Sequence, residues 1–321
     1  MSDTACKPFL NWVGGKGDLR DVICQVFPPG IERYVEHFGG GGGILLGSPK
    51  RPGVLEVYND FDRDLVNLFL CVRDRPLALM RELGFLPLQM EEEFILLKRF
   101  LEGEAVLPDF APEELETART CLSPEQYAAL EPVLRDRSEL WDVRRAAAFY
   151  RVNRYSFSGT MKSFGVKSSP LRRFLSAILA AAQRLEGVVI TNRDFEDSFR
   201  LNDRPGTLHY FDPPYVETED KYRPVFTQED HHRLHSLTDG AKGAMVFSYN
   251  DCPFIRALYR DCFILGFARQ NSLSKKKGAV FRKVVITNYD PRPVIEANAP
   301  QLTMFGGGAR RMRELVLLHE P

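Results

Sequence analysis

The chain has 321 residues, 44% hydrophobic and 27% charged, with 43 basic against 43 acidic side chains, the profile of a folded globular protein rather than a disordered or fibrous one. Its longest unbroken apolar run, Ala177 to Ala182, is six residues, far below the roughly 20 that span a bilayer, and no secretory signal opens the chain. The six cysteines are scattered without a CxxC pair, which argues against a disulfide framework or a cysteine zinc site and for a reducing, cytoplasmic setting.

Taken in chain order, Asp18 to Phe27 predicts a helix stopped by Pro28, Pro29 and Gly30. Tyr34 to Phe38 predicts a strand, and the glycine tract Gly39 to Gly43 is expected to lead into a helix. Val54 to Tyr58 is a second strand and Asp62 to Val72 a second helix, with Leu65, Leu68 and Phe69 on one face. Several helices follow, one striped by Phe94, Leu97 and Leu101, another by Leu140, Val143, Ala147 and Tyr150. Strands resume at Val188 to Thr191, Leu208 to Phe211 and Ala244 to Ser248, while Thr227 with Asp230 predicts a capping box. Phe263 to Ala268 and Phe281 to Asn288 predict an antiparallel closing hairpin. Residues 292 to 309 read as a linker, followed by a strand-like run from Glu314 to Leu318. The pattern is an α/β sheet interrupted by a mainly helical insertion.

The zero net charge conceals a polarised chain. Residues 82 to 142 carry fifteen acidic and five basic side chains, whereas residues 143 to 185 carry nine basic and no acidic ones, and residues 269 to 283 six basic and none acidic. Acid-free basic runs are the footprint of a polyanion surface, with Lys162, Lys167 and Arg172 in the first; Lys275-Lys276-Lys277 in the second is either a polar turn or, on the resemblance given below, a segment lying near DNA. His231, His232 and His235 share one helix but lack a third-ligand pattern, so a solvated helix face and no metal is expected.

Two constellations carry chemistry. Glu36-His37-Phe38-Gly39-Gly40-Gly41 follows a strand, where missing Cβ atoms let a ligand approach the backbone. It does not satisfy GxGxxG, and Gly14-Gly15-Lys16 does not complete a phosphate-binding loop. Asp60 ends the next strand, where a carboxylate can accept ribose hydroxyls. Asp212-Pro213-Pro214-Tyr215 directly follows an apolar strand. Its prolines turn the chain out of the sheet and present a carboxylate, a carbonyl and an aromatic ring together.

In these motifs the chain resembles the Dam-type DNA adenine-N6 methyltransferases, which use S-adenosylmethionine, over roughly residues 7 to 291. Lys7 to Lys16 is similar to that family's N-terminal motif, which implies cofactor contacts for Trp12 and Lys16. Glu36, Phe38, Gly39 and Gly41 match its cofactor loop and Asp60 its ribose acid. Asp194 and Phe195 stand where the family holds the cofactor's adenine. Asp212 to Tyr215 is similar to its catalytic motif, and Asp212 also borders the cofactor. Asn153 to Gly159 resembles the segment opening its DNA-reading hairpin, implying DNA contacts for Arg154, Tyr155 and Ser158. Ser158 replaces the family's usual asparagine and the segment from Phe157 to Arg173 is short, so target specificity does not carry over.

The resemblance implies a Rossmann-like class I methyltransferase sheet, mostly parallel with an antiparallel closing hairpin, plus a helical target-recognition insertion. The expected division is residues 1–75 and 186–291 for the catalytic domain, 76–185 for the insertion, and 292–321 for a linker and tail. The implied reaction methylates the N6 amino group of a flipped adenine in double-stranded DNA, in a bacterial or phage-encoded, nucleoid-associated protein. RNA or cytosine-N4 transfer and a catalytically silent DNA-binding relative are the rivals. In the tail, Gln301, Leu302, Met304 and Phe305 resemble the short motif that docks bacterial proteins on the sliding clamp.

Overall fold

A computed structural model describes residues 6, 9–12, 19–84, 90–104, 111–135, 141–165, 172–216, 226–270, 280–305 and 315–321. The chain forms two compact units. The first comprises Met1–Pro8, Gly14–Asp62 and Arg184–Pro321, the second Phe9–Val13 and Arg63–Gln183. Among the described residues no helix is long and apolar enough to cross a membrane.

The first unit is built on a sheet of eight strands among the described residues: β1 (Arg33–Glu36), β2 (Leu55–Asn59), β3 (Val189–Thr191), β4 (Thr207–Phe211), β5 (Ala244–Asn250), β6 (Phe263–Gln270), β7 (Val280–Thr287) and β8 (Val316–His319). They lie in the order β3-β2-β1-β4-β5-β7-β6-β8. Pairing is parallel from β3 to β5 and antiparallel from β5 to β8. This is the mixed α/β sheet the sequence predicts, with the closing hairpin at β6 and β7. All five residues of β4 are buried, as befits a central parallel strand covered on both faces. The run near residue 316 joins the same sheet as an edge strand against β6.

The helices are α1 (Arg20–Ile23), α2 (Arg63–Asp74), α3 (Pro76–Leu83), α4 (Glu91–Leu101), α5 (Ala111–Cys121), α6 (Pro124–Arg135), α7 (Val143–Tyr155), α8 (Arg172–Leu185), α9 (Phe195–Asn202), α10 (Gln228–Ser236), α11 (Pro253–Leu258) and α12 (Arg292–Phe305). The capping box of α10 forms as expected, between Thr227 and Asp230.

The structure corrects four expectations. First, α2 belongs with the helical unit, so the division falls after Asp62 and not near residue 75. Leu65 to Val72 are all buried, and Asn67 is bonded through its side chain to both the backbone N–H and the carbonyl of Asp142 at 2.9 Å. Second, residues 40–47 form successive turns, not a regular helix. Gly40 and Gly42 have φ of 49° and 66°, a left-handed conformation that interrupts right-handed helix. Third, the proline-containing segment from Arg292 is helical rather than a linker. Pro293 lies in the first turn, where no backbone N–H is needed. The Asn298 side chain donates to the carbonyls of Gln25 and Phe27, both at 2.9 Å, fastening the helix to the first unit. Gln301, Leu302, Met304 and Phe305 close α12, and their side chains lie outside the described residues. Fourth, His231 is buried, with Nδ1 3.0 Å from the Tyr249 hydroxyl, so α10 is only partly a solvated face.

Charge polarity also has a structural cause. Arg144, Arg145 and Arg151 of the acid-free run pair with Glu82, Asp64 and Glu93 inside the helical unit. Those three cations hold helices together and are not spare charge for a polyanion.

Candidate active site

The strand order reverses direction at β1 and β4, and the loops leaving their carboxyl ends open where α/β sheets bind ligands. Register places Glu36 beside Tyr210, so the loop starting at His37 and the turn starting at Asp212 leave the sheet side by side.

Strand β2 fastens the first loop. Gly39 N–H donates to the Asn59 carbonyl at 2.8 Å, and Gly40 N–H to Asp60 Oδ2 at 2.8 Å. The Tyr58 hydroxyl donates to the Gly40 carbonyl at 2.7 Å, and Asn59 Nδ2 to the His37 carbonyl at 3.1 Å. The Tyr58 ring lies against Gly39 so closely that a Cβ there would sit 2.2 Å from Cε2. Glycine at position 39 is therefore a packing requirement. Tyr58 escaped the sequence reading because a strand tyrosine carries no motif signal; its clasp on the loop, shared with Asn59 and Asp60, became visible only through pairing with β1.

Burial raises the pKa of Asp60, opposed by backbone N–H groups of Asp62, Gly40 and Phe61. The Glu36 carboxyl is pushed up to about 8, chiefly by burial; the Leu45 N–H opposes this, while the charge of Asp212 adds to it. Its Oε2 is buried without a hydrogen-bond partner. Below the loop, His37 Nδ1 lies 2.9 Å from Ser198 Oγ and Nε2 2.9 Å from His209 Nδ1, with His209 Nε2 3.4 Å from Asp203. Burial holds both imidazoles neutral, His209 down to about 4 and His37 well below its usual range. The His37 ring stacks on Phe211 with centroids 4.4 Å apart, so the residue before Asp212 packs on the residue after Glu36.

Asp194 caps α9 through the Glu196 N–H at 2.9 Å. The Phe195 ring stacks against Phe38, with centroids 5.5 Å apart. Arg233, absent from the sequence reading, lies 4.8 Å from the Phe195 centroid and pairs with Asp194, Glu196 and Asp230 at 2.8–3.0 Å. Glu36, Phe38, Gly39, Gly41, Asp60, Asp194, Phe195 and Asp212 to Tyr215 thus all belong to the first unit, at or just beyond the carboxyl ends of β1 to β4. In the turn, Pro213 and Pro214 are buried while Asp212 and Tyr215 are partly exposed. The Tyr215 hydroxyl accepts from Lys283 Nζ at 2.9 Å and lies 3.4 Å from Ser248 Oγ.

The remaining residues lie in the helical unit or outside the described residues. Trp12 stacks on Phe149, centroids 6.4 Å apart. Arg154 donates to Asn11 Oδ1 at 2.9 Å and packs on Phe174, and burial lowers its pKa. Tyr155 is 1% exposed, its side chain in the core of its unit. Lys162 is exposed. The following loop folds back on itself, with Phe157 N–H donating to the Ser163 carbonyl at 2.9 Å and Gly165 N–H to the Tyr155 carbonyl at 2.7 Å. Phe157, at the base of this loop, is 65% exposed, an aromatic face the sequence reading did not single out. The side chains of Ser158 and Arg172 lie outside the described residues, as do Lys16, Lys167 and Lys275 to Lys277 entirely.

Comparison with known proteins places this geometry in context. The D12 class N6 adenine-specific DNA methyltransferase family matches residues 12–276. The type II methyltransferase M1.LlaDCHI of Lactococcus lactis subsp. cremoris is 24% identical over 307 residues, 88% of this chain and 95% of the relative. The DNA adenine methylase of Haemophilus influenzae is 23% identical over 289 residues, 84% of this chain and 88% of the relative. The type II methyltransferase M.MjaIII of Methanocaldococcus jannaschii is 24% identical over 315 residues, 88% of this chain and 99% of the relative.

Proposed function

From the premise that the chain belongs to the D12 class N6 adenine-specific DNA methyltransferase family, we propose how its own residues carry out adenine-N6 methylation of DNA. The observation that carries the reading is the juxtaposition of the Glu36–Gly41 loop with the Asp212–Tyr215 turn at the carboxyl ends of β1 and β4.

The loop fits S-adenosylmethionine. Packing of Gly39 on Tyr58 fixes the loop's backbone, and the buried Glu36 Oε2 without a hydrogen-bond partner can bond a polar group of the ligand. Asp60 is available to ribose hydroxyls and Asp194 to an adenine amino group, while Phe195, 5% exposed against Phe38 and Arg233, presents its ring to an adenine only where Arg233 is displaced. When bound, the cofactor supplies a methyl group activated by its sulfonium.

The chain's residues supply position and electrostatics. The Asp212 carboxylate and the Pro213 carbonyl accept the two N–H bonds of the target amino group, holding its nitrogen toward tetrahedral geometry and freeing its lone pair from the ring. Asp212 also stabilises the positive charge that develops there, an interaction strongest in the transition state. A base inside a duplex must leave the stack at a cost of a few kcal/mol. Stacking on Tyr215 returns about 1–3 kcal/mol of this. In the helical unit, Phe157 offers a second aromatic face and Lys162 a phosphate contact. For the tail, docking of Gln301, Leu302, Met304 and Phe305 on a sliding clamp stays a proposal supported by its motif alone.

The test is single-molecule sequencing of DNA from a methylase-free bacterial host expressing the wild type or Asp212→Ala. Adenine-N6 marks confined to the wild type support the reading, and their context gives the recognition sequence. Marks on cytosine N4, or marks that survive Asp212→Ala, refute it.

A further inference from the structure

Lys283 is a basic side chain buried to 9% exposure on β7, with no role in the mechanism above. Its neighbour across the sheet is Asn250 of β5. Burying an ammonium is costly unless its donors are engaged. Here Nζ donates to the Tyr215 hydroxyl at 2.9 Å. The same nitrogen lies 4.5 Å from the Tyr215 ring centroid. Being nearer the oxygen than the centroid, it contacts the ring at its hydroxyl end.

Two further contacts come from the same side. Ser248 Oγ on β5 lies 3.4 Å from the Tyr215 hydroxyl, and Asn250 Nδ2 donates to the carbonyl of Val216 at 3.3 Å. The backbone before Tyr215 is restricted by Pro213 and Pro214, so the remaining freedom is rotation of the ring itself. A hydroxyl that accepts from a charged donor and can donate to Ser248 has both its roles assigned. The ring is fixed at its far end by residues of β5 and β7, which the catalytic turn does not touch in sequence.

We propose that Lys283 is a positioning residue for the target base: through the Tyr215 hydroxyl it holds the ring at the tilt on which the flipped adenine stacks. This rests on the methyl-transfer reading above. Lys283 acts on the DNA substrate and not on the cofactor: it reaches the Tyr215 hydroxyl and none of the residues expected to hold the cofactor. Hydrogen bonds to charged groups contribute about 1.5–3 kcal/mol, so losing this one is expected to slow methylation roughly tenfold or more.

The experiment uses the full chain and a duplex carrying the motif read from wild-type modification, with and without 2-aminopurine at the target position. Lys283→Met, Lys283→Arg, Tyr215→Phe and the double variant Lys283→Met/Tyr215→Phe are compared by single-turnover rate, S-adenosylmethionine affinity and 2-aminopurine fluorescence. Tyr215→Phe removes only a hydroxyl from a partly exposed side chain, so the anchor is testable even where Lys283→Met folds poorly. The expected result is a slowed rate in Lys283→Met with unchanged cofactor affinity and brighter 2-aminopurine, because the flipped base loses its stacking partner. Lys283→Met should add little once Tyr215 is Phe, and Lys283→Arg should restore part of the rate. Equal effects of Lys283→Met in both Tyr215 backgrounds, an unslowed Tyr215→Phe, or cofactor affinity falling in step with rate would overturn the assignment. An unmodified target with wild-type protein would overturn the underlying function instead, and is read separately before any variant is scored.

Discussion

Replacing Gly39 by alanine tests whether close packing against Tyr58 shapes the cofactor loop. The added Cβ would meet Tyr58 Cε2 at 2.2 Å and Cδ2 and Cζ at 2.6 Å, whereas carbon atoms in favourable contact stand about 3.5–4.0 Å apart. The gap of over an ångström must be opened by moving the ring or the loop. The ring is fully buried and its hydroxyl holds the Gly40 carbonyl at 2.7 Å; overpacking such a site costs about 1–3 kcal/mol. Losing the hydrogen bond adds about 1 kcal/mol. If the loop yields instead, Gly39 N–H leaves Asn59 and Gly40 N–H leaves Asp60, and the cost appears in cofactor binding. Titration calorimetry with S-adenosylmethionine and thermal melting together read both routes, with a combined loss of about 2–4 kcal/mol expected. Tyr58→Leu in the Gly39→Ala background removes the obstructing ring edge and should recover cofactor affinity relative to Gly39→Ala alone. Normal affinity and melting temperature in Gly39→Ala, or no recovery in the double variant, would refute the reasoning.

Asp212→Ala should lower turnover at least a hundredfold, about 2.7 kcal/mol of barrier, while calorimetry shows the cofactor still binding; a variant losing both equally would place Asp212 in cofactor binding instead. Glu36 has a folded pKa of about 8, above its ordinary 4.5, so its support for the fold is complete below about pH 4.5 and lost as pH rises through about 8. Glu36→Gln should flatten that alkaline limb in urea unfolding, by up to roughly 5 kcal/mol at about pH 9; parallel wild-type and variant profiles would contradict it. His37 and His209 act at the other end: their depressed pKa values make the fold lose stability as pH falls from about 6.5 to about 4, a slope that His209→Gln should reduce. Phe157→Ala should weaken DNA binding about tenfold, the lower part of the range for one base–aromatic stack, without changing cofactor affinity. Mobility-shift titration decides it, and unchanged binding would assign Phe157 to surface packing.

Much of the site was legible from local pattern. A run of apolar residues ending in Asp212-Pro213-Pro214-Tyr215 announces a buried strand and an abrupt exit, because prolines cannot continue a ladder. Glycines after Phe38 announce close backbone approach. The helix expected after those glycines failed for the same reason they were noticed: residues that adopt positive φ at Gly40 and Gly42 do not propagate a right-handed turn. The linker expected from residue 292 failed because composition does not register the Asn298 side chain reaching the carbonyls of Gln25 and Phe27.

Charge was the least legible property. The acid-free run from residue 143 looks like a nucleic-acid surface in one dimension, yet Arg144, Arg145 and Arg151 are matched with Glu82, Asp64 and Glu93. Arg154 is turned inward to Asn11 and Phe174. Sign along the chain reports composition, while a binding surface depends on which charges remain unpaired after packing.

The sequence alone determined the alternation of elements, the strand-end motifs and the reaction class they imply, since each depends on residues within a few positions of one another. Only the tertiary structure decided that Tyr58 backs Gly39, that Arg233 covers Phe195, and that Lys283 holds Tyr215. Those partners are separated by 19, 38 and 68 positions, and the packing of strands and helices, not local preference, brings them into contact.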